Sequence, residues 1–354
     1  MKVNQFQPYI GHEEYESIKE CFDANWITEG PKAKKFSDKL CKLIGCKYGV
    51  FAPNGTLSLY LGLKAIGIGP GDEVIVPDFT FIASANAVEM VGAKPVFADI
   101  DRDTLHIDLE KCTDLITENT KAIMPVHIYG TAVNMDSVMK FAALHKLKVI
   151  EDAAQAIGVT WNGKHCGSFG DVSTFSFFAD KTITTGEGGF ICTNDKEVYT
   201  KLLYLRNQGR INRGSFIHPE IGYNFRMTDI QCAIGLTQLN KLDDIIQKKQ
   251  NILQTYKNLL KDVDGLQIIE PEELSNHIPF RVAIQFDRKI IGIMKYLSSK
   301  DIETRTFFYP MHKQPCYDAP VLENSTYVYE HGLCMPSYPD LQTDQIEYVC
   351  KHIC

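Results

Sequence analysis

The feature that most restricts the fold is a repeated exchange between short β-branched runs and longer amphipathic segments. EVIVP (73–77), KPVFADI (94–100), KAIMPVHIYG (121–130) and KVIEDAA (148–154) are near-continuously apolar and of strand length. SLYLGLKAIG (58–67) and MDSVMKFAALHKL (135–147) lie between such runs and have helical spacing. Strands that are apolar on both faces and alternate with helices require βαβ units and a mostly parallel, doubly covered sheet. VSTFSFFAD (172–180) and GGFICTN (188–194) read as two more strands, and their short connection makes them neighbours, with antiparallel pairing open to them. Residues 228–262 read as helix with a bend at Gly235 or a break. HIPFRVAIQF (277–286) and IIGIMKYLSSKDI (290–302) supply a strand and a helix to a smaller terminal unit. The expected architecture is α/β, with a large domain over 1–240 and a small C-terminal α+β domain over 241–354. That division suits 354 residues at roughly 150 per domain.

Composition narrows the class without naming a chemistry. Hydrophobic residues at 44% and charged residues at 23% exclude a disordered, collagenous or coiled-coil chain. A net charge of −7 makes nucleic acid and anionic membrane poor default partners. No run approaches the ~20 apolar residues of a membrane span. The first twenty residues hold no apolar stretch of signal-peptide length. The 11 cysteines are scattered without a CxxC pair, which fits reduced thiols. A cytoplasmic protein is expected, with no metal, nucleic-acid or membrane partner.

The candidate chemistry sits at strand ends, where open α/β sheets bind ligands. Asp152 closes the run KVIED, and Gln155 follows three residues later. A carboxylate there either points into a ligand crevice or caps the next helix. Lys181 stands between a strand run and a loop containing Gly186, Gly188 and Gly189. The loop is not a P-loop, since GxxxxGK[ST] is absent. Its neighbours Phe177, Phe178, Ile183 and Thr184 imply partial burial, which turns a lysine into a nucleophilic amine for carbonyls. Asn54-Gly55-Thr56 opens an apolar helix, either an ordinary capped start or an anion site made of free N–H groups and the helix dipole. Phe81 either stacks on a planar ligand or packs in the core. An amine, an acid, an anion cradle and an aromatic plate are together what pyridoxal 5′-phosphate (PLP) requires.

EDAAQA (151–156), FSFFADKTITTGEGG (175–189), GYNFRMTD (222–229) and FYPMHKQPCY (308–317) resemble the sugar-nucleotide aminotransferases of PLP fold type I. The likeness runs from WITEGP (26–31) nearly to the C-terminus. It implies an aspartate-aminotransferase-like fold, and PLP or pyridoxamine phosphate as cofactor. It implies Lys181 as the Schiff-base lysine and Asp152 as the partner of the ring nitrogen. Gln155 would lie near the 3-hydroxyl, and Phe81 against the ring. Gly55, Thr56, Leu57 and Ser176 would hold the phosphate. Asn224 would reach it from the partner subunit of a homodimer with shared active sites. Arg226, Arg305, Tyr309 and His312 are the candidate substrate contacts. His127, in PVHIYG, is either a structural strand-end histidine or a substrate neighbour.

The implied reaction transfers the amino group of L-glutamate to a ketone. The motifs are most similar to the branch that aminates C4 of a GDP-linked 4-keto-6-deoxy sugar. That branch tends to read Gly-Asn before the lysine, where this chain has Ala179-Asp180. The added carboxylate and a short C-terminal end keep a second acceptor open, a small phosphorylated ketone such as dihydroxyacetone phosphate. A non-catalytic regulatory protein on the same fold is the third reading, opposed by the intact Lys181, Asp152, Gln155 and Ser176.

Overall fold

The computed structural model describes residues 1–210, 214 and 216–353. The strands in chain order are β1 (Tyr48–Ala52), β2 (Glu73–Pro77), β3 (Lys94–Ala98), β4 (Thr120–Ile123) and β5 (Lys148–Asp152). A small hairpin of β6 (Thr160–Trp161) and β7 (Lys164–His165) precedes β8 (Val172–Ser176) and β9 (Gly189–Thr193). Apart from that hairpin, these strands form a seven-stranded sheet in the order β1-β9-β8-β5-β4-β2-β3. The stretch β8-β5-β4-β2-β3 is parallel, while β9 runs antiparallel to both β8 and β1.

Side-chain alternation explains why the strand runs are apolar throughout. Ile75 and Val149 enter the core on one face of the sheet, beside Phe36, Leu40 and Leu236. Their neighbours Val74, Val76 and Ile150 enter the core on the other face, beside Leu61, Leu63 and Val88. Those layers are built from α1 (His12–Asp23), α2 (Pro31–Ile44), α3 (Gly55–Ala65), α4 (Ala83–Met90), the short α5 (Leu109–Cys112), α6 (Met135–His145), α7 (Lys196–Arg206) and α8 (Asp229–Asn240). With both faces covered, each strand gains burial whichever way a residue points.

The chain then enters α9 (Leu242–Leu260) and a four-stranded antiparallel sheet. Its strands are β10 (Leu266–Ile268), β11 (Val282–Phe286), β12 (Arg305–Thr306) and β13 (Gly332–Met335), in the order β10-β11-β13-β12. With α10 (Ile291–Ser299), α11 (Glu323–His331) and α12 (Thr343–Ile353) they enclose one core of their own and share another with the segments that follow β2, β3 and β4. Val3 is buried in the first of these and bridges Ile302, so the chain's first residues cross over to the C-terminal unit.

Three local expectations change. The long helical stretch breaks at Lys241 and not at Gly235. Gly235 lies inside α8, where a Cβ would come within 2.3 Å of the Phe36 ring, so glycine there permits close helix packing. The run 121–130 ends as strand at Ile123 and turns at Tyr129, which has φ 50°. The strand expected over 277–286 begins at Val282. Positions 240 and 241 lie between α8 and α9, and Leu242 and Ile245 at the start of α9 still pack in the core of the large sheet.

Candidate active site

Three segments converge beyond the carboxyl ends of β1, β5 and β8. The first is the start of α3. Asn54 caps it, accepting from the Leu57 N–H at 3.0 Å. The positive end of α3 is pressed against the sheet, since a Cβ at Gly189 would lie 2.4 Å from the Asn54 carbonyl oxygen. A Cβ at Gly55 would lie 3.0 Å from Ser176 Cβ, so the bare Gly55 backbone and the Ser176 side chain face each other. Backbone N–H groups at a helix start beside a hydroxyl are suited to a phosphate.

The second segment is the end of β5. No helix follows Asp152, so the capping alternative does not hold; its Oδ1 instead accepts from the Ala154 N–H at 3.1 Å. Oδ2 accepts from Ser84 Oγ at 2.8 Å, and Ser84 in turn meets Thr80 Oγ1 at 2.9 Å. The carboxylate is held from two sides and still borders the cavity. Gln155 Oε1 accepts from the Tyr129 N–H at 2.9 Å, which is what the unusual turn at Tyr129 positions.

The third segment is the turn after β8. Lys181 Nζ lies 4.5 Å from the centre of the Phe280 ring. Burial pushes its ammonium below the ordinary lysine range, against the opposing pull of Asp180 and Asp152, and the Arg281 charge adds to the lowering. Asp180 Oδ2 accepts from Arg281 Nη2 at 2.5 Å, and Arg281 Nη1 donates to Gln5 Oε1 at 2.7 Å. Arg305 Nη1 is 3.9 Å from the same Asp180 oxygen.

One cavity of about 570 Å³ joins these pieces. Of the sequence-derived residues, Gly55, Thr56, Phe81, Asp152, Gln155, Ser176, Lys181 and Arg305 line it. Two expectations are corrected. Leu57 does not line the cavity, because its N–H is taken by Asn54. His312 is buried, with Nδ1 2.7 Å from Asp78 Oδ2 and Nε2 3.3 Å from Thr326 Oγ1, so both ring nitrogens are engaged away from the cavity. Tyr309 stands outside the wall, edge-on to Tyr329. Asn224 and Arg226 do not line the cavity of their own chain; Arg226 donates to Asn224 Oδ1 at 2.6 Å and to Asn207 Oδ1 at 3.0 Å.

His127 is fully buried. The Val133 N–H donates to its Nδ1 at 3.2 Å, so that nitrogen carries no proton and Nε2–H donates to Glu151 at 3.1 Å. Glu151 also accepts from the N–H groups of Gly167, Phe169 and Gly170. The adjacent carboxylates of β5 thus divide their tasks: Glu151 ties loops together and Asp152 faces the site. Tyr129, Phe280, Arg281 and Phe308 complete the wall and were not singled out from sequence. The available signal was an arginine opening an otherwise apolar strand run.

A buried amine, a fixed carboxylate and a helix start beside a serine hydroxyl, all on one cavity of a fold-type I α/β framework, define a PLP-dependent aminotransferase. The residues present fit that cofactor. The chain belongs to the DegT/DnrJ/EryC1/StrS aminotransferase family, whose model matches residues 8–354. It is 40% identical to a GDP-perosamine synthase of Escherichia coli O157:H7, over 98% of this chain and 96% of that protein. It is 38% identical to a GDP-perosamine synthase of Vibrio cholerae, over 98% and 97% of the two chains. The crystal structure of the aminotransferase TlmJ from Streptoalloteichus hindustanus superposes with a TM-score of 0.96 at 27% identity, covering 100% of this chain and 98% of that one.

Proposed function

We propose that this enzyme transfers the amino group of L-glutamate to the ketone of a nucleotide-linked 4-keto-6-deoxy sugar, with GDP as the nucleotide. The observation that carries the reaction type is that Lys181 and Asp152 border one cavity above the start of α3. The acceptor class rests on the two GDP-perosamine synthases that are 40% and 38% identical along nearly the whole chain.

Lys181 is the residue to hold the cofactor's aldehyde, Asp152 its ring nitrogen, and Gly55, Thr56 and Ser176 its phosphate. When bound, PLP supplies an electron sink for the carbanion left when the donor loses its α-proton. Lys181 Nζ takes that proton and holds it until it is returned. Burial favours this, since a lowered pKa leaves more of the amine neutral near neutral pH. The Asp152 charge, fixed by Ser84 and Ala154, keeps a proton on the ring nitrogen. Phe280, Tyr129 and Phe308 keep water from the reacting carbon.

Asn224 and Arg226, which leave their own cavity, fit the reading of a homodimer in which each chain completes the other's site. The reading also carries a cytoplasmic location, in keeping with cysteines that are all free among the described residues. The second acceptor is a small phosphorylated ketone such as dihydroxyacetone phosphate, whose phosphate would have to lie away from the Asp180 carboxylate in the wall. A panel of acceptors supplied with glutamate and scored by 2-oxoglutarate release tests both. Turnover of a GDP-linked keto sugar supports the first. Turnover of the triose phosphate alone overturns it.

A further inference from the structure

Asp180 is a charge in the cavity wall that the proposed reaction leaves without a role. Its side chain is 9% exposed, and it borders the same cavity as Lys181. Oδ2 is committed to Arg281 at 2.5 Å. Oδ1 is buried and has no hydrogen-bond partner. A buried carboxylate oxygen left without a donor is costly, and native proteins rarely keep one without a use.

The surroundings decide which kind of donor can meet it. Positive charge is already present: Arg281 pairs with Oδ2, and Arg305 stands 3.9 Å from it. A further cation would be repelled by both guanidinium groups. An anion would be repelled by the carboxylate itself. A neutral O–H donor satisfies Oδ1 without adding charge. The Arg281–Gln5 bond and the Phe280 ring beneath Arg281 hold the pair in place, so Asp180 is fixed within the cavity wall.

We propose that Asp180 is a specificity-determining residue whose free Oδ1 accepts a hydrogen bond from a hydroxyl on the carbon beside the acceptor's ketone. Its place next to the lysine in sequence puts it near the reacting carbon and not at a distant end of the substrate. The inference rests on the keto-sugar reading above and names the feature of that sugar which the site selects. A site built to bond a substrate hydroxyl discriminates strongly against the analogue that lacks it, because the protein group is then left unpaired.

The test compares kcat/KM of the loaded wild type and of Asp180→Ala at saturating L-glutamate. The acceptors are a GDP-linked 4-keto-6-deoxy sugar with a hydroxyl at C3 and its 3-deoxy counterpart. Any general loss from leaving Arg281 without its partner is common to both acceptors and cancels in their ratio. The wild type is expected to prefer the hydroxylated sugar by about 10²-fold or more, and Asp180→Ala to reduce that ratio to below about 10. Asp180→Asn keeps the volume and one weaker acceptor oxygen, so an intermediate ratio is expected, and it serves where the alanine variant fails to fold. The glutamate half-reaction, followed by the cofactor's absorbance without acceptor, reports the common loss separately. A ratio unchanged in both variants, or a wild type without preference, overturns the inference. A wild type that converts the cofactor with glutamate but turns over neither sugar overturns the keto-sugar reading and the inference with it.

Discussion

Ser84 Oγ donates to Asp152 Oδ2 at 2.8 Å, tying the start of α4 to the end of β5. Ala154 N–H holds the other oxygen, so the carboxylate has little freedom to turn. Asp152→Asn keeps this shape and removes the charge. It is expected to lower kcat for glutamate deamination by about 10²–10⁴-fold, because an uncharged partner cannot hold a proton on the ring nitrogen. Ser84→Ala removes one bond to a charged group, worth about 1.5–3 kcal/mol, and is expected to lower kcat by about 10-fold to 10²-fold. Single-turnover absorbance changes with glutamate, beside melting curves near those of the wild type, check both.

The Lys181 amine gives a signed pH prediction. Burial lowers its pKa first, Asp180 and Asp152 raise it, and Arg281 lowers it again. The neutral amine is the form that reacts with an aldehyde. The rate at which the cofactor-free enzyme takes up PLP is therefore expected to climb with pH and level off below the ordinary lysine value of about 10.4. Asp180→Asn removes a raising charge and moves the midpoint down. Arg281→Gln removes a lowering charge and moves it up. Lys181→Ala forms no covalent adduct and loses transamination by at least about 10⁴-fold. Midpoints that do not move in opposite directions would refute the charge assignment.

What could be read from the chain follows from where the physics is local. The strand 73–77 was legible because Val74, Ile75 and Val76 are apolar in succession, and both faces prove to be covered. That Asp152, Lys181 and Ser176 would line one cavity was legible because open α/β sheets place their crevice at strand ends. Arg281 was not, because its partner Asp180 lies 101 positions away and a lone arginine names no partner. His312 was misassigned for a similar reason: the Asp78 that engages it is 234 positions earlier. Leu57 failed on a finer point, since Asn54 can cap α3 only by taking the Leu57 N–H that the cradle was expected to use. Of the two readings of the long helical stretch, the break holds, at Lys241; the bend at Gly235 does not, because the glycine there admits the Phe36 ring.

Gly189 provides a stability test of what supports the proposed phosphate cradle. A Cβ there would lie 2.3 Å from Ser58 Oγ and 2.4 Å from the Asn54 carbonyl oxygen. The second neighbour is backbone and cannot rotate aside. Gly189→Ala must therefore push the start of α3 off β9. Overpacking of this kind costs about 1–3 kcal/mol. Because the displaced atoms belong to the Asn54 cap, PLP affinity is expected to fall as well, by about 10-fold, the effect of a binding loss of roughly 1.4 kcal/mol. Denaturant midpoints and a PLP titration read the two effects. A destabilised variant with wild-type PLP affinity would separate the cap from the cradle.

Lys249 on α9 is a second buried lysine, fully enclosed beside the Asp180–Arg281 pair, and its Nζ donates to the Pro279 carbonyl oxygen at 3.1 Å. Burial, with Arg281 adding to it and Asp180 opposing, brings its pKa down to about 7. In the unfolded chain the value is near 10.4. Between about pH 7 and pH 10 the unfolded state therefore binds more protons than the folded one, and stability from this group rises with pH across that window. Below about pH 7 both states are protonated and the full penalty of a buried charge remains. Lys249→Met removes the penalty and also the bond to Pro279, worth about 1 kcal/mol. The variant is expected to be more stable than the wild type at about pH 6, by about 2 kcal/mol, a modest share of what a shift of this size allows. Its advantage should shrink through about pH 8 and reverse near pH 10, where the folded wild-type amine is neutral and keeps its bond while the unfolded one is still largely charged. Urea unfolding at the three pH values measures this. A gain independent of pH would mean that the Lys249 amine reaches water and holds its proton at an ordinary pKa.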